Sequence, residues 1–198
     1  TLLLSSVLEN VSVPVFAAGG FRDGFGLAAA KAWGAQGIAM GTRFMMTLES
    51  PVPEKTKDAY LEASIDEISV TKKFDGLPHR LIFNKYIQNI DKSNPLKLFF
   101  ISLKSAWKYK QISQASFGDI VKSFFAMLRG DDLSISQTIM AANSPAVIQK
   151  AMVEGNPDQG AMPSGQVAGI IKEIPSCENL VKEIIEQYHK ASENLKTL

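Results

Sequence analysis

Short apolar runs closed by glycines mark the start of the chain, and apolar positions at three- and four-residue steps mark most of the remainder. Val13–Ala18 (VPVFAA) is such a run, ended by Gly19-Gly20, as expected of a parallel strand covered on both faces. Asp23 then precedes an alanine-rich stretch containing Ala28, Ala29, Ala30 and Ala32. Its carboxylate suits the N-cap of a helix, and the small side chains let that helix lie close on a sheet. Gly37–Gly41 predicts a second strand, again closed by glycine, and Leu2–Asn10 predicts the helix before the first strand. Two successive strands, one βα repeat apart, therefore end in bare backbone.

The pattern changes at Pro51-Val52-Pro53. Glu54–Ser64 predicts a helix with Tyr60 and Leu61 on its apolar side, and Ile68–Phe74 a short strand closed by Asp75-Gly76. His79–Ile90 has helical spacing, with Leu81, Ile82, Phe83, Tyr86, Ile87 and Ile90 recurring. Further helices are expected from Pro95 to Lys110, over Ser116–Leu128 up to the break at Arg129-Gly130-Asp131-Asp132, and in two short pieces, Ile135–Ala142 and Ala146–Glu154. Asn156-Pro157-Asp158-Gln159-Gly160 reads as a loop, Gly165–Lys172 as the opening of a helix, and Cys177–Leu195 as the last helix. The chain thus divides into residues 1–50, with the strands, and residues 51–198, mostly helical.

Composition narrows the class. A chain of 198 residues that is 45% apolar can bury a sizeable core. Lys plus Arg number 21 against 20 Asp plus Glu, so net charge offers no reason to expect nucleic acid or an anionic membrane as partner. The single cysteine, Cys177, rules out an internal disulfide and suits a reducing compartment. No stretch reaches the ~20 apolar residues of a membrane helix. No basic residue precedes Arg22, so the charged start of a signal peptide is missing and a cytoplasmic location is expected.

Strands that end in glycine offer backbone N–H groups to an anion, and the last two strands of a (β/α)8 barrel hold phosphate in this way. Val13-Pro14-Val15, Ala17-Ala18-Gly19-Gly20, Gly34-Ala35 and Met40-Gly41-Thr42-Arg43-Phe44 carry the resemblance further. Thr47-Leu48-Glu49-Ser50, then Gly76-Leu77-Pro78-His79-Arg80 with Asn84, and Gly160 with Pro163-Ser164-Gly165-Gln166-Val167-Ala168-Gly169 follow in order. Together these elements resemble the nitronate monooxygenase family, formerly the 2-nitropropane dioxygenases, to which FMN-dependent enoyl-acyl-carrier-protein reductases are closely related. The match is weakest between about Asp91 and Asn143.

The resemblance implies an α/β fold: the C-terminal part of a TIM (β/α)8 barrel followed by a mostly helical cap that folds over the barrel mouth. A whole barrel takes ~250 residues, so this chain is expected to be the carboxyl-terminal half of a longer enzyme. The implied cofactor is FMN, its phosphate held by the backbone of Gly19, Gly20, Ala39, Met40, Gly41 and Thr42, with the Thr42 hydroxyl as a further donor. The family's catalytic histidine would lie upstream, so no catalytic residue and no metal site is assigned. The implied reaction is oxidation of an alkyl nitronate, with dioxygen reoxidising the flavin. The alternative is NAD(P)H-dependent reduction of an enoyl thioester. A reading of a different class is an inactive fragment or interaction module, because two open parallel strands invite self-association or association with an amino-terminal half.

Several residues carry two readings. Arg43 can pair with the phosphate or form an outward-facing salt bridge. Met40, Met45 and Met46 can line a flavin pocket or simply pack. His79 follows a proline turn as a general base would, but Arg80 is the recurring residue of that element. His189 reads as a solvated surface residue. Gly165-Gln166 can reach the substrate side of the flavin or mark a tight contact. Asp66-Glu67 and Asp131-Asp132 read as caps or solvated charges.

Overall fold

The computed structural model describes residues 2–72, 74, 77–93 and 135–196, with side chains given for all of these except 135–143 and 195–196. The helices expected from Pro95 to Lys110 and over Ser116–Leu128, and the break after them, lie outside the described residues. In chain order the elements are α1 (Leu2–Asn10), β1 (Phe16–Ala18), α2 (Gly24–Ala32), β2 (Gly37–Ala39), α3 (Gly41–Met45), α4 (Glu54–Glu62), β3 (Ile68–Thr71), β4 (His79–Ile82), α5 (Lys85–Asp91), α6 (Ile135–Met152) and α7 (Cys177–Lys196). Single 3-10 turns occur at Ile65–Glu67, Pro157–Gln159 and Gln166–Ile170. By its contacts the chain separates into two units, Thr1–Pro51 with Gly165–Leu198, and Val52–Ser164.

In the first unit β1 and β2 pair in parallel, with Phe16 beside Gly37, Ala17 beside Ile38 and Ala18 beside Ala39. Successive strand residues face opposite ways. Ala17 is buried against Ala30 and Ala35, with Leu4, Leu8, Phe21 and Ile38 around it, whereas Phe16 is 64% exposed. The Phe16 ring lies over Gly37, where an added Cβ would meet it at 2.9 Å. The expected strand is confined to its last three residues, since Val13 is exposed and Pro14 has no N–H to pair.

Asp23 caps α2 as expected, its carboxylate accepting the Gly26 N–H at 2.9 Å. The alanine face allows α2 to meet α7 closely. At Gly24 the two backbones nearly touch, and an added Cβ would strike the Ile184 carbonyl and the Tyr188 amide. The Gly24 N–H is satisfied by the Gln187 side chain at 2.9 Å, and α7 buries Leu180 and Ile184.

In the second unit β3 and β4 form an antiparallel pair, Ile68 opposite Ile82 and Thr71 opposite His79. This corrects the helix expected over His79–Ile90. Leu81, Ile82 and Phe83 fit either period as a short apolar run, and pairing decides, because β4 bonds to β3 on one side and to residues 162–164 on the other. Ile82 N–H donates to the Met162 carbonyl, and Ser164 N–H to the Arg80 carbonyl, both at 3.1 Å. The helix starts only at Lys85, where Asn84 caps it by accepting the Ile87 N–H at 3.0 Å. The Asn84 amide also donates to the Pro157 and Gly160 carbonyls, tying the loop to α5. Phe74, Leu81, Ile87, Ile90, Val147 and Ala161 make the core. The two short helices expected around Pro145 are one continuous helix, α6, with that proline inside it. The opening expected at Gly165 is a single 3-10 turn. No helix among the described residues is long and apolar enough to cross a membrane.

Two consequences can be measured. Gly24→Ala overpacks the α2–α7 contact, where backbone atoms cannot yield, and should cost about 1–3 kcal/mol in denaturant unfolding. Burial raises the phenol of Tyr60 and pushes that of Tyr86 up to about 12; the Tyr86 hydroxyl has no hydrogen-bond partner among the described residues. A raised folded-state value gives stability that is intact below the ordinary tyrosine range and is lost as pH climbs through it toward about 12. Phenolate absorbance should therefore show these two tyrosines ionising late, together with alkaline unfolding.

Candidate functional site

The parallel register brings the carboxyl ends of β1 and β2 to one edge of the sheet. Beyond β1, Gly19 has φ +96° and Gly20 φ +82°, a region that L side chains rarely enter. Beyond β2, Met40 is extended (φ −127°, ψ 106°) and α3 begins at Gly41. Among the described residues, and apart from each glycine's own chain neighbours, no heavy atom lies within 4 Å of a Cβ placed on Gly19, Gly20 or Gly41, so the space beside all three is open. The first N–H groups of α3 have no acceptor within the helix. The helix has only five residues, so these individual donors, rather than a summed dipole, supply the positive character. Open space lined by backbone donors suits an anion such as a phosphate. Gly19, Gly20, Ala39 and Gly41 are exposed, and Met40 and Thr42 are half-buried.

The side chains beside these turns hold the carboxyl-terminal part of the chain. Thr42 Oγ1 accepts the Gly165 N–H at 2.9 Å. Arg43, 5% exposed, donates through Nη2 to a Glu173 carboxylate oxygen at 3.0 Å and through Nη1 to the Glu173 carbonyl at 3.2 Å. Arg43 thus forms a salt bridge, but a buried one rather than the outward-facing one expected. Arg22 pairs with Asp23 at 3.2 Å and donates to the Ile170 carbonyl at 3.2 Å. Both guanidiniums border a cavity of about 420 Å³ whose walls include Phe25, Ile171, Ile184 and Gln187. Their charges are thus already matched by carboxylates and carbonyls of this chain.

Glu49 has a role that sequence reasoning did not assign. Both of its carboxylate oxygens accept the Cys177 N–H, at 3.0 and 2.9 Å, at the start of α7, and the Leu48 N–H donates to the Pro175 carbonyl at 3.0 Å. The only available signal was the place of Glu49 in a recognisable motif. Met46 is fully buried, so it packs; Met40 and Met45 are half-buried. His79 starts β4 in the other unit, edge-on to Phe74 with ring centroids 5.8 Å apart. His189 is exposed on α7 beside Tyr188. Gln166 is exposed. Among the described residues no group of three or more His, Cys, Asp or Glu side chains is placed to hold a metal.

The sequence profile of the nitronate monooxygenase family matches residues 1–187. Two curated relatives, from Mycobacterium tuberculosis and Rhodococcus jostii, are each called (3aS,4S,5R,7aS)-5-hydroxy-7a-methyl-1-oxo-octahydro-1H-indene-4-carboxyl-CoA dehydrogenase. They are 42% and 40% identical, over 93% and 100% of this chain and 53% and 56% of their own lengths. A probable nitronate monooxygenase of Staphylococcus haemolyticus is 39% identical over 44% of this chain and 25% of its own. The chain therefore spans about half the length of the first two. Among solved structures, FabK from Thermotoga maritima is similar with a TM-score of 0.66 and 27% identity, covering 99% of this chain and 50% of that one. Nitroalkane oxidase from Streptomyces ansochromogenes shares the fold, with a TM-score of 0.64 and 23% identity over 98% of this chain and 44% of that one. The α/β fold is thus similar to that of these enzymes.

Arg43→Ala removes a charged donor from two acceptors and leaves the Glu173 segment untethered. It should lower stability by about 2 kcal/mol, read from thermal or denaturant unfolding.

Proposed function

The chain belongs to the nitronate monooxygenase family, whose members are oxidoreductases, and we propose that it forms the phosphate-holding part of an FMN-dependent enzyme. The observation that carries this reading is the pair of glycine turns at one edge of a parallel sheet, with open space beside Gly19, Gly20 and Gly41. The backbone of Gly19, Gly20, Ala39, Met40, Gly41 and Thr42 holds the FMN phosphate. The bound flavin supplies the redox chemistry, accepting the two electrons that the substrate gives up. The protein's part at this end is to anchor and orient the cofactor, and the base that handles the substrate proton lies outside this chain.

The same reading makes residues 1–50 the last strands and helices of a (β/α)8 barrel and residues 51–198 its mostly helical C-terminal region. Two features support it. One face of the β1–β2 pair is covered by α1 and α2 while the other, with Phe16 and Ala18, is bare, as for residues pointing into a barrel. The likeness to FabK extends over nearly this whole chain and half of that enzyme. The bare face and open strand edges are where an amino-terminal half would add. We place the enzyme in the cytoplasm, acting on a small-molecule substrate.

For the substrate, the family name points to an alkyl nitronate oxidised with dioxygen. One observation favours a second class, a carbocyclic acyl-CoA thioester that is dehydrogenated: the two CoA-thioester dehydrogenases match 93% and 100% of this chain, the staphylococcal nitronate monooxygenase 44%. Enoyl-thioester reduction with NAD(P)H is the third class, which the family resemblance of the sequence motifs implies.

The first test is the visible spectrum of the purified protein. A flavin spectrum that survives desalting is expected; a colourless protein that takes up no FMN would sink the reading. Nitronate-dependent oxygen uptake, anaerobic bleaching by a CoA thioester and NAD(P)H-dependent enoyl reduction then separate the three substrate classes. Gly20→Val and Gly41→Val should each weaken FMN retention at least about tenfold. At Gly20 a branched side chain must also enter the left-handed region, at ~1–2 kcal/mol.

A further inference from the structure

We propose that Gly165 is a positioning residue for the cofactor phosphate, acting through the hydroxyl of Thr42. This rests on the FMN-phosphate reading given above and adds to it a segment far along the chain.

A threonine hydroxyl has one proton to give and lone pairs to receive. The Gly165 N–H occupies a lone pair of Thr42 Oγ1 at 2.9 Å, across 123 positions of sequence. That bond restricts the hydroxyl rotor and directs its proton elsewhere. Threonines in helices commonly give the proton to a carbonyl one turn back. Thr42 makes no such bond, and among the described residues its proton meets no acceptor. Thr42 follows Gly41 directly in α3, beside the open space at the strand ends. The hydroxyl is therefore a donor set in advance for an anion seated there.

The glycine at 165 is explained by this contact and not by its backbone. Its φ of −78° and ψ of 157° suit any residue. A Cβ there would lie 3.1 Å from Thr42 Oγ1 and 3.9 Å from Thr42 Cβ, tighter than ordinary packing to the oxygen it must hold. The segment is also fixed beyond Gly165. Its carbonyl accepts the Ala168 N–H at 3.1 Å, Arg22 holds the Ile170 carbonyl at 3.2 Å, and Arg43 holds Glu173. Any lateral shift of Gly165 would turn the hydroxyl.

The test compares affinities for FMN and riboflavin, which differ by the phosphate, in the full-length protein and in Thr42→Val, Thr42→Ser and Gly165→Ala. Thr42→Val and Gly165→Ala should each weaken FMN about tenfold while leaving riboflavin unchanged, and Thr42→Ser should retain the preference for FMN. In the flavin-free protein, the Gly165 amide should exchange hydrogen faster in Thr42→Val than in the parent. Equal effects on both flavins, no effect on either, or unchanged exchange at Gly165 would overturn the proposal while leaving the flavoenzyme reading intact. Failure of the parent protein to bind either flavin would overturn both.

Discussion

The parallel register that sets Ala18 beside Ala39 is the constraint on which the site depends. It puts two glycine turns at the same edge, so that Gly19-Gly20 and Gly41 face one region rather than opposite ends of the sheet. It also assigns the faces. Ala17 turns into the alanine-lined contact with α2, and Phe16 turns away to cover Gly37. A slip of one residue would exchange these faces and bury an aromatic ring where only a methyl fits.

Around that sheet the carboxyl-terminal segment is held by contacts that are individually small and mutually consistent. Glu49 caps α7, Arg43 and Arg22 hold the 170–173 stretch, Gln187 satisfies the Gly24 amide, and Gly165 reaches Thr42. Arg43 shows why neighbourhood in sequence is a poor guide to role. It follows the glycine turn directly, yet its guanidinium is spent on Glu173, because a buried cation needs a carboxylate and carbonyls around it. The open space beside Gly19, Gly20 and Gly41 is therefore not where the Arg43 guanidinium is used.

Local signals were legible wherever one residue type answers a local need. Asp23 was readable as a cap because a short carboxylate reaches the free N–H groups of the next turn. The glycine turns were readable because apolar runs that end in glycine leave few other conformations open. Leu81-Ile82 was not, since a short apolar run has no period of its own, and the β3 edge and residues 162–164 supplied the partners that made it a strand. Pro145 suggested a break that the continuous helix does not show. Gly165 was visible as part of a motif, but the oxygen it serves was not, because its backbone angles are ordinary.

The sequence by itself determined which segments are strands and helices near the glycine turns, where α2 is capped, and the family likeness. Those depend on side chains acting on backbone a few positions away. Only the tertiary structure decided that Gly165–Leu198 returns to the unit of β1 and β2 while Val52–Ser164 forms its own, and which oxygen each arginine and glycine meets. Such pairings join residues more than a hundred positions apart, and their energy comes from burial and hydrogen bonding that exist only once both segments are in place.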